Sequence, residues 1–548
     1  MTHDGTEYLT TNVSAHLRMW AARTPARVAV RGSDGSEVSF GELERRVDAV
    51  AHGLLAMGFV PGDRACLFVP ASAELILLTH AMLRAGIQPV LIDPGMGRKS
   101  LLSCVRRTAP RGLIGVPRAH LARALFPGAF RSVELSVIVG ARFFGRAQPL
   151  ARLERFGYRQ GPFDFATGGV ESAEDEAAVL FTSGSTGPPK GVLYRHRNFL
   201  AQLTHLRRLL ELEAGEVDVA CFPLFALFDN ALGMTSVFPD MDFSHPARCD
   251  PAKIVAAIES SRASTTFGSP AIWKRVAPWM QERDRRFSSL RRIAIAGAPV
   301  PPALIEELLE LLGDGGDVVT PYGATEALPV SSIRGSELAG ELRARIEGGY
   351  GTCVGRPAPG IEVALIEIGD EPISAWSESL RVPTGSPGEV CVRGDVVTTE
   401  YLGEDGATRA AKIPSADGLW HRMGDIGRLD LTGRLWLLGR KSHRIVTDHG
   451  TLFPLPTENI ISTMEGVRRA ALVGRGKRGH EEPVLVIEPE PRSDRAVLEA
   501  RLHSHRTDLA PLAEVRGVRF KRSFPVDVRH NAKIRREDLK RWVESKPR

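Results

Sequence analysis

With 548 residues, 43% of them hydrophobic and 25% charged, the chain is long enough for several domains with sizeable cores. That composition excludes a small cross-linked scaffold, a disordered chain and a coiled coil. The 71 basic and 65 acidic residues leave a net charge of only +6, a mild excess rather than a nucleic-acid-binding stripe.

The densest basic stretches, Arg195-His196-Arg197, Arg283 to Arg286 and Arg535-Arg536, have no interleaved aromatics and read as solvated faces. Cys66, Cys104, Cys221, Cys249, Cys353 and Cys391 form no CxxC pair, which predicts reduced, mostly buried thiols and a cytoplasmic protein. The first eleven residues carry Asp4 and Glu7 without an apolar run, so no secretory leader is expected. The most apolar stretch, residues 73–85, is interrupted by Glu74, Thr79, His80 and Arg84 and predicts a core helix, not a membrane span.

In chain order, periodicity predicts a helix over residues 40–57, a strand over 64–69, a helix over 74–84 and a strand over 88–93. The alternation resumes with strands at 178–182, 265–268, 292–296 and 318–322 and helices at 197–210 and 302–312, a parallel α/β texture. After Gly351 come short strands with glycine turns at 362–368, 389–392, 427–431 and 434–438, expected to form an antiparallel, barrel-like region. The last hundred residues mix strands at 469–473 and 483–488 with helices at 494–506 and 536–543, a small α+β domain. A boundary at residues 440–442 therefore divides residues 1–440 from 441–548.

The strongest local signal is Thr182-Ser183-Gly184-Ser185-Thr186-Gly187-Pro188-Pro189-Lys190-Gly191 after an apolar strand. Glycines let backbone N–H groups approach a phosphate, hydroxyls donate to its oxygens and Lys190 adds charge. It is not a Walker A loop, because Pro189 stands where the second glycine would be and Gly191 where Ser or Thr would be. Gly474-Arg475-Gly476-Lys477-Arg478-Gly479 matches G-x-G-x-x-G, but a strand rather than a helix follows, so it reads as an exposed basic loop. No cluster has zinc-ligand spacing.

The hydroxyl- and glycine-rich loop, with Tyr322-Gly323-Ala324-Thr325-Glu326, resembles the adenylate-forming superfamily of acyl-CoA synthetases, peptide-synthetase adenylation domains and luciferases. Gly297-Ala298-Pro299, Met423-Gly424-Asp425-Ile426-Gly427 leading to Gly439-Arg440, and Asn531-Ala532-Lys533-Ile534 follow in the order of that family. The resemblance implies its fold: a large N-terminal domain of two α/β lobes plus a β-barrel-like region, and a small mobile α+β C-terminal domain. It implies ATP and Mg2+ as cofactors. Gly297, Ala298 and Pro299 would underlie adenine, Tyr322 would stack on it with Gly323 and Ala324 beside it, and Thr325 would contact the α-phosphate. Thr182 to Thr186, Gly187 and Lys190 would cradle the phosphates, with Thr186 and Lys190 acting in catalysis. Glu326 would hold the metal. Asp425 and Arg440 would bind ribose, and Lys533 would cross from the small domain to stabilise the transition state at the α-phosphate.

Departures from the thiol-using relatives narrow the resemblance. Ala226 stands where many acyl-CoA ligases have histidine, Ser442 where aspartate or lysine is usual, and Val446 to Phe453 differ from the thiol-delivery face. Phe222 to Met234, Phe238 to Asp242 and Asp527 to Ile534 resemble the β-lactone synthetases of bacterial long-chain olefin biosynthesis. That branch implies a long-chain 2-alkyl-3-hydroxy fatty acid substrate, adenylated and then attacked by its own β-hydroxyl. It also implies a condensing enzyme, a reductase and a lactone decarboxylase as pathway partners, with no nucleic acid and no transmembrane segment. Phe222, Phe225, Ala226, Leu227, Phe228 and Trp273 would line the alkyl channel, or belong to ordinary core. His196, His245 and His530 are open as general base or as structural histidines. A long-chain acyl-CoA or acyl-carrier ligase shares every ATP residue, and a nucleotide-binding regulator without catalysis is the third reading.

Overall fold

The computed structural model describes residues 11–141, 145–182, 187–491, 493–506, 514–526 and 534–546. Two large sheets build the first part of the chain. One has seven strands in the order Gln148–Pro149, Leu135–Ile138, Gly112–Gly115, Arg64–Phe68, Gln88–Leu91, Glu176–Phe181 and Gly191–Arg195, parallel except for the last pair. The other has nine strands, with a parallel centre of Asp317–Ala324, Arg292–Ile295, Thr265–Gly268, Val217–Ala220 and Thr235–Val237. The α/β alternation read from periodicity is present in both.

The helix Phe40–Ala56 shows why. Ser39 caps it by accepting from the Glu42 amide, and Leu43, Val47, Val50 and Leu54 form one apolar face with almost no exposure. It crosses the helix Leu150–Gly157 so closely that a Cβ on Gly157 would lie 1.9 Å from the Ala49 carbonyl oxygen, so only glycine fits. The helix Ala73–Arg84 is buried along nearly its whole length, as expected of a core helix. Its Arg84 is also buried, and ion-pairs with Glu44 and Asp48, which Arg18 shares. Among the described residues no helix is long and apolar enough to cross a membrane.

The glycine-rich middle region forms a six-stranded antiparallel sheet containing Glu362–Ile366, Gly388–Arg393, Gly418–Leu429 and Leu435–Arg440. The strand Gly418–Leu429 starts well before the expected residue 427. Its glycines suggested a turn, but Gly424 takes a φ of +67° within the strand and the ladder shifts register after Ile426, so pairing continues through the irregularity. Beyond the short turn Lys441–His443, the strands Val467–Arg475, Glu482–Pro489 and Gly517–Phe520 form a three-stranded sheet, with helices Pro454–Ser462, Arg495–Arg506 and Arg536–Glu544. The Gly474 to Gly479 motif is the turn of a hairpin, with no helix after it.

Two of the three basic stretches differ from expectation. His196 is buried, and Arg195 and Arg197 fold back on the Glu174 carbonyl and carboxylate respectively, with Arg197 also donating to the Val397 carbonyl. Arg536 grips the buried Glu458 with both guanidinium nitrogens. Local charge density could not reveal partners that lie about twenty to two hundred residues away. Arg283 to Arg286 remains at the surface, where Arg283 lies over the Trp279 ring. All six cysteines are free and buried, and burial pushes the Cys104 and Cys353 thiols up to about 11.

Candidate active site

The strand Glu176–Phe181 leads into the hydroxyl-rich loop, and its antiparallel partner Gly191–Arg195 leads out. The Thr182 amide donates to the Lys190 carbonyl at 3.0 Å, and the Lys190 amide donates to Thr182 Oγ1 at 3.1 Å, closing the loop at its base. Ser183, Gly184, Ser185 and Thr186 lie outside the described residues. The Pro189 carbonyl accepts from Arg107 Nη1 at 2.7 Å, and Arg107 also ion-pairs with Glu404.

Lys190 and Glu326 meet through a residue that motif reading overlooked. The Lys190 ammonium lies 4.8 Å from the centre of the Tyr401 ring, whose hydroxyl donates to Glu326 Oε1 at 2.6 Å. Burial, then Glu326 itself, hold the Tyr401 hydroxyl far above its ordinary pKa, so it remains a donor. Backbone at the same corner is also fixed. Thr398 donates its amide and hydroxyl to the Glu326 carbonyl at 3.0 and 3.1 Å, and Tyr194 donates to the Thr325 carbonyl at 2.6 Å. Behind Thr398, the buried Lys412 donates to its carbonyl at 2.5 Å, and burial brings that ammonium down to about 7.

Tyr322, Gly323 and Ala324 end the strand Asp317–Ala324, and Thr325 and Glu326 form the turn to Ala327. Tyr322 donates its hydroxyl to Asp425 Oδ2 at 2.7 Å, and Arg440 Nε pairs with Asp425 Oδ1 at 3.1 Å. Asp425 and Arg440 are register partners on adjacent antiparallel strands, which sets the guanidinium beside the carboxylate. Gly297, Ala298 and Pro299 follow the strand Arg292–Ile295, adjacent to the Tyr322 strand in the same parallel sheet, with Gly297 and Pro299 exposed. Tyr322 and Gly297 to Pro299 lie at the carboxyl ends of parallel strands, where open α/β sheets bind ligands, and Asp425 and Arg440 meet them from the antiparallel sheet.

Of the hydrophobic candidates, Phe225 stacks on Phe267 with centroids 4.3 Å apart, and Phe228 packs against Phe225 and Phe199. Phe222 faces Phe267 at 6.0 Å in the same aromatic group, and Leu227 packs with a different cluster. Ala226 and Trp273 are fully buried in two separate clusters. His196 is buried and driven down to about 4 by desolvation, while His245 pairs with Asp242 at 2.8 Å on the surface. Lys533, His530, Asn531 and Ala532 lie outside the described residues. Ile534, next to Lys533, bridges to Val526.

A buried carboxylate pair also escaped the sequence reading. Asp218, on the strand Val217–Ala220, is fully buried beside Asp229 and the Phe267 backbone. Burial and then the neighbouring Asp229 hold it well above the carboxylate range, and burial raises Asp229 to about 7. Asp229 accepts from the Ser236 hydroxyl at 3.0 Å. The signal in the sequence was a lone acid inside each of two apolar runs, Val217 to Ala220 and Phe225 to Ala231.

A hydroxyl- and glycine-rich loop closed at its base, a carboxylate held opposite a lysine, and a tyrosine–aspartate–arginine set are brought together. The AMP-binding enzyme family matches residues 17–402, and the chain belongs to that family of AMP-forming ligases. It is 41% identical to the olefin beta-lactone synthetase of Stenotrophomonas maltophilia (strain K279a), over 97% of this chain and 98% of that protein. A second olefin beta-lactone synthetase, from Xanthomonas campestris pv. campestris, is also 41% identical, over 97% of each chain. The ATP-bound MatB structure from Rhodopseudomonas palustris shares the adenylate-forming fold, with a TM-score of 0.79 and 22% identity over 98% of this chain and 99% of that one.

Proposed function

We propose that the chain activates a long-chain 2-alkyl-3-hydroxy fatty acid with ATP and closes it to a β-lactone, releasing AMP and pyrophosphate. In the first step a carboxylate oxygen attacks the α-phosphorus and pyrophosphate leaves. In the second, the β-hydroxyl oxygen of the same molecule attacks the acyl carbon, its proton is lost and AMP leaves with the C–O bond pair. Because nucleophile and electrophile are already tethered, effective molarity offsets part of the ring strain.

We assign the roles as the family resemblance implies, and the hydrogen bonds and ion pair that hold Tyr322, Asp425, Arg440 and Glu326 support them. Tyr322, Asp425 and Arg440 hold the nucleoside, with Gly297, Ala298 and Pro299 beside the base. The loop from Thr182 to Lys190 holds the phosphates, and Thr325 lies at the α-phosphate. Glu326 presents hard oxygen, held in place by Tyr401, and fits Mg2+, which supplies neutralising charge on the phosphates when bound. Phe225 and Phe228 present an aromatic face to the alkyl chains. Residues 1–440 form the ATP- and acid-binding unit, and residues 441–548 bring Lys533 to the acyl phosphate.

The observation that carries this reading is the 41% identity, across nearly the whole chain, to proteins named olefin beta-lactone synthetase. Ala226 and Ser442, in place of residues usual in thiol-using ligases, support it. The second reading is a long-chain fatty acyl-CoA or acyl-carrier ligase, and the 28% identity to a feruloyl-CoA synthase of Amycolatopsis, over 84% of this chain, supports its CoA-ligase class alone. Mass spectrometry of the products formed from ATP, Mg2+ and a synthetic 2-alkyl-3-hydroxy acid, kept cold with and without CoA, separates the two. Loss of one water with AMP formed, indifferent to CoA, is the expected result. A product that forms only with CoA would overturn it.

A further inference from the structure

Charge is distributed unevenly along this chain. Residues 94–153 contain eleven Arg or Lys and one acid, Glu134, a net of +10 against +6 for the whole protein, so the remainder is acidic overall. Topology gathers these residues at one edge of the seven-stranded sheet, because strands Gly112–Gly115, Leu135–Ile138 and Gln148–Pro149 are its outermost three on that side.

Part of this charge is used internally: Arg107 pairs with Glu404, and Arg111 with Asp63 and Glu134. Arg98, Lys99 and Arg118 are exposed and have no acidic partner among the described residues. Arg98 lies over the Phe126 ring at 5.6 Å, which places the start of the helix Arg98–Thr108 beside the end of the helix Pro117–Leu125. The latter helix buries none of its nine residues. Leu121 and Leu125, one turn apart and on the same face as Arg118, are 49% and 63% exposed.

Two exposed leucines beside cations that have no acidic partner among the described residues are the chemistry of an interfacial anchor, in which the apolar side chains enter the acyl boundary and the cations meet headgroup phosphates. A nucleic acid would call for stacking aromatics, and an acidic protein surface gives the leucines nothing to enter. We propose that the face formed by the helices Arg98–Thr108 and Pro117–Leu125 docks this protein reversibly on an anionic lipid bilayer. Arg107, on the first of these helices, also holds the Pro189 carbonyl, so the docking face is one hydrogen bond from the phosphate loop.

The test is co-sedimentation of the full chain with vesicles of phosphatidylcholine alone or mixed with phosphatidylglycerol, at low and high salt. Binding is expected on the anionic vesicles only and weakens with salt. The double variants R98E/R118E and L121S/L125S should each lower the affinity by at least about tenfold. Neither touches the nucleotide site, so pyrophosphate exchange should stay unchanged and report that both variants fold. No binding to anionic vesicles, or equal binding to neutral ones, would overturn the proposal. Loss on charge reversal with no effect of the leucine changes would also overturn it, and would assign the patch to an acidic macromolecule.

Discussion

Tyr401 donates its hydroxyl hydrogen to Glu326 at 2.6 Å while the face of its ring lies under Lys190. One side chain thus sets the distance between the acid and the base that flank the phosphates in the proposed reaction. Removing only the hydroxyl, in Tyr401→Phe, keeps the ring under Lys190 and frees Glu326. A hydrogen bond to a charged group contributes about 1.5–3 kcal/mol. Pyrophosphate exchange is therefore expected to fall by about tenfold or more, with the fold retained by circular dichroism. An unchanged rate would show that Glu326 is held without Tyr401.

Asp425 serves both Tyr322 and Arg440, and its removal orphans both partners. Asp425→Ala should raise the apparent KM for ATP by about ten- to a hundredfold, while Asp425→Asn, which still accepts from Tyr322, should cost less. Titration of initial rate against ATP checks both, and equal losses would contradict the acceptor role.

The Asp218–Asp229 pair predicts a dependence on pH with a definite sign. Both carboxyls titrate higher when folded than the ordinary carboxylate, so the folded state binds more protons and stability falls as pH rises from about 4 through about 7. Asp218→Asn removes one ionising partner. Its denaturant midpoint relative to the native chain should rise between pH 5 and 8, by on the order of 1 kcal/mol. A difference independent of pH would refute the pairing.

Buried histidines act in the opposite sense. Desolvation lowers His16 and His196 to about 4 and His80 to about 3, the last with Arg84 and His16 adding repulsion. The unfolded chain then binds more protons as pH falls below about 6.5, and stability is lost from there toward about 4. His80→Leu, which removes two buried ring nitrogens with no hydrogen-bond partner among the described residues, should flatten part of that slope in acid melts. A slope identical to that of the native chain would place the acid sensitivity elsewhere.

Much of this architecture is written in short-range patterns. The helix Phe40–Ala56 and the strand Thr265–Gly268 follow from periodicity because each buries one face or a whole apolar run. The nucleotide motifs could be read as motifs because their glycines and hydroxyls stand out against apolar strands, even where, as at Gly424, the strand runs on through them. What was missed depends on distance along the chain. Tyr401 is an unremarkable aromatic until a sheet brings it beneath Lys190, and Asp218 and Asp229 matter only because two apolar elements close over both. Arg195, Arg197 and Arg536 read as surface for the same reason: their partners are named by topology and not by neighbours.

The grip of Arg536 on Glu458 also bears on how Lys533 reaches its target. Arg536 opens the last helix, Glu458 belongs to the helix Pro454–Ser462, and Arg536 also donates to the Leu472 carbonyl on the three-stranded sheet. Ile534 also bridges to Val526, so the segments on either side of residues 527–533 are tied to each other, while Arg536 ties the last helix to the sheet. Under the role proposed for Lys533, that sheet would serve as a handle, and delivery and withdrawal of the lysine would each be a turn of residues 441–548 as one body.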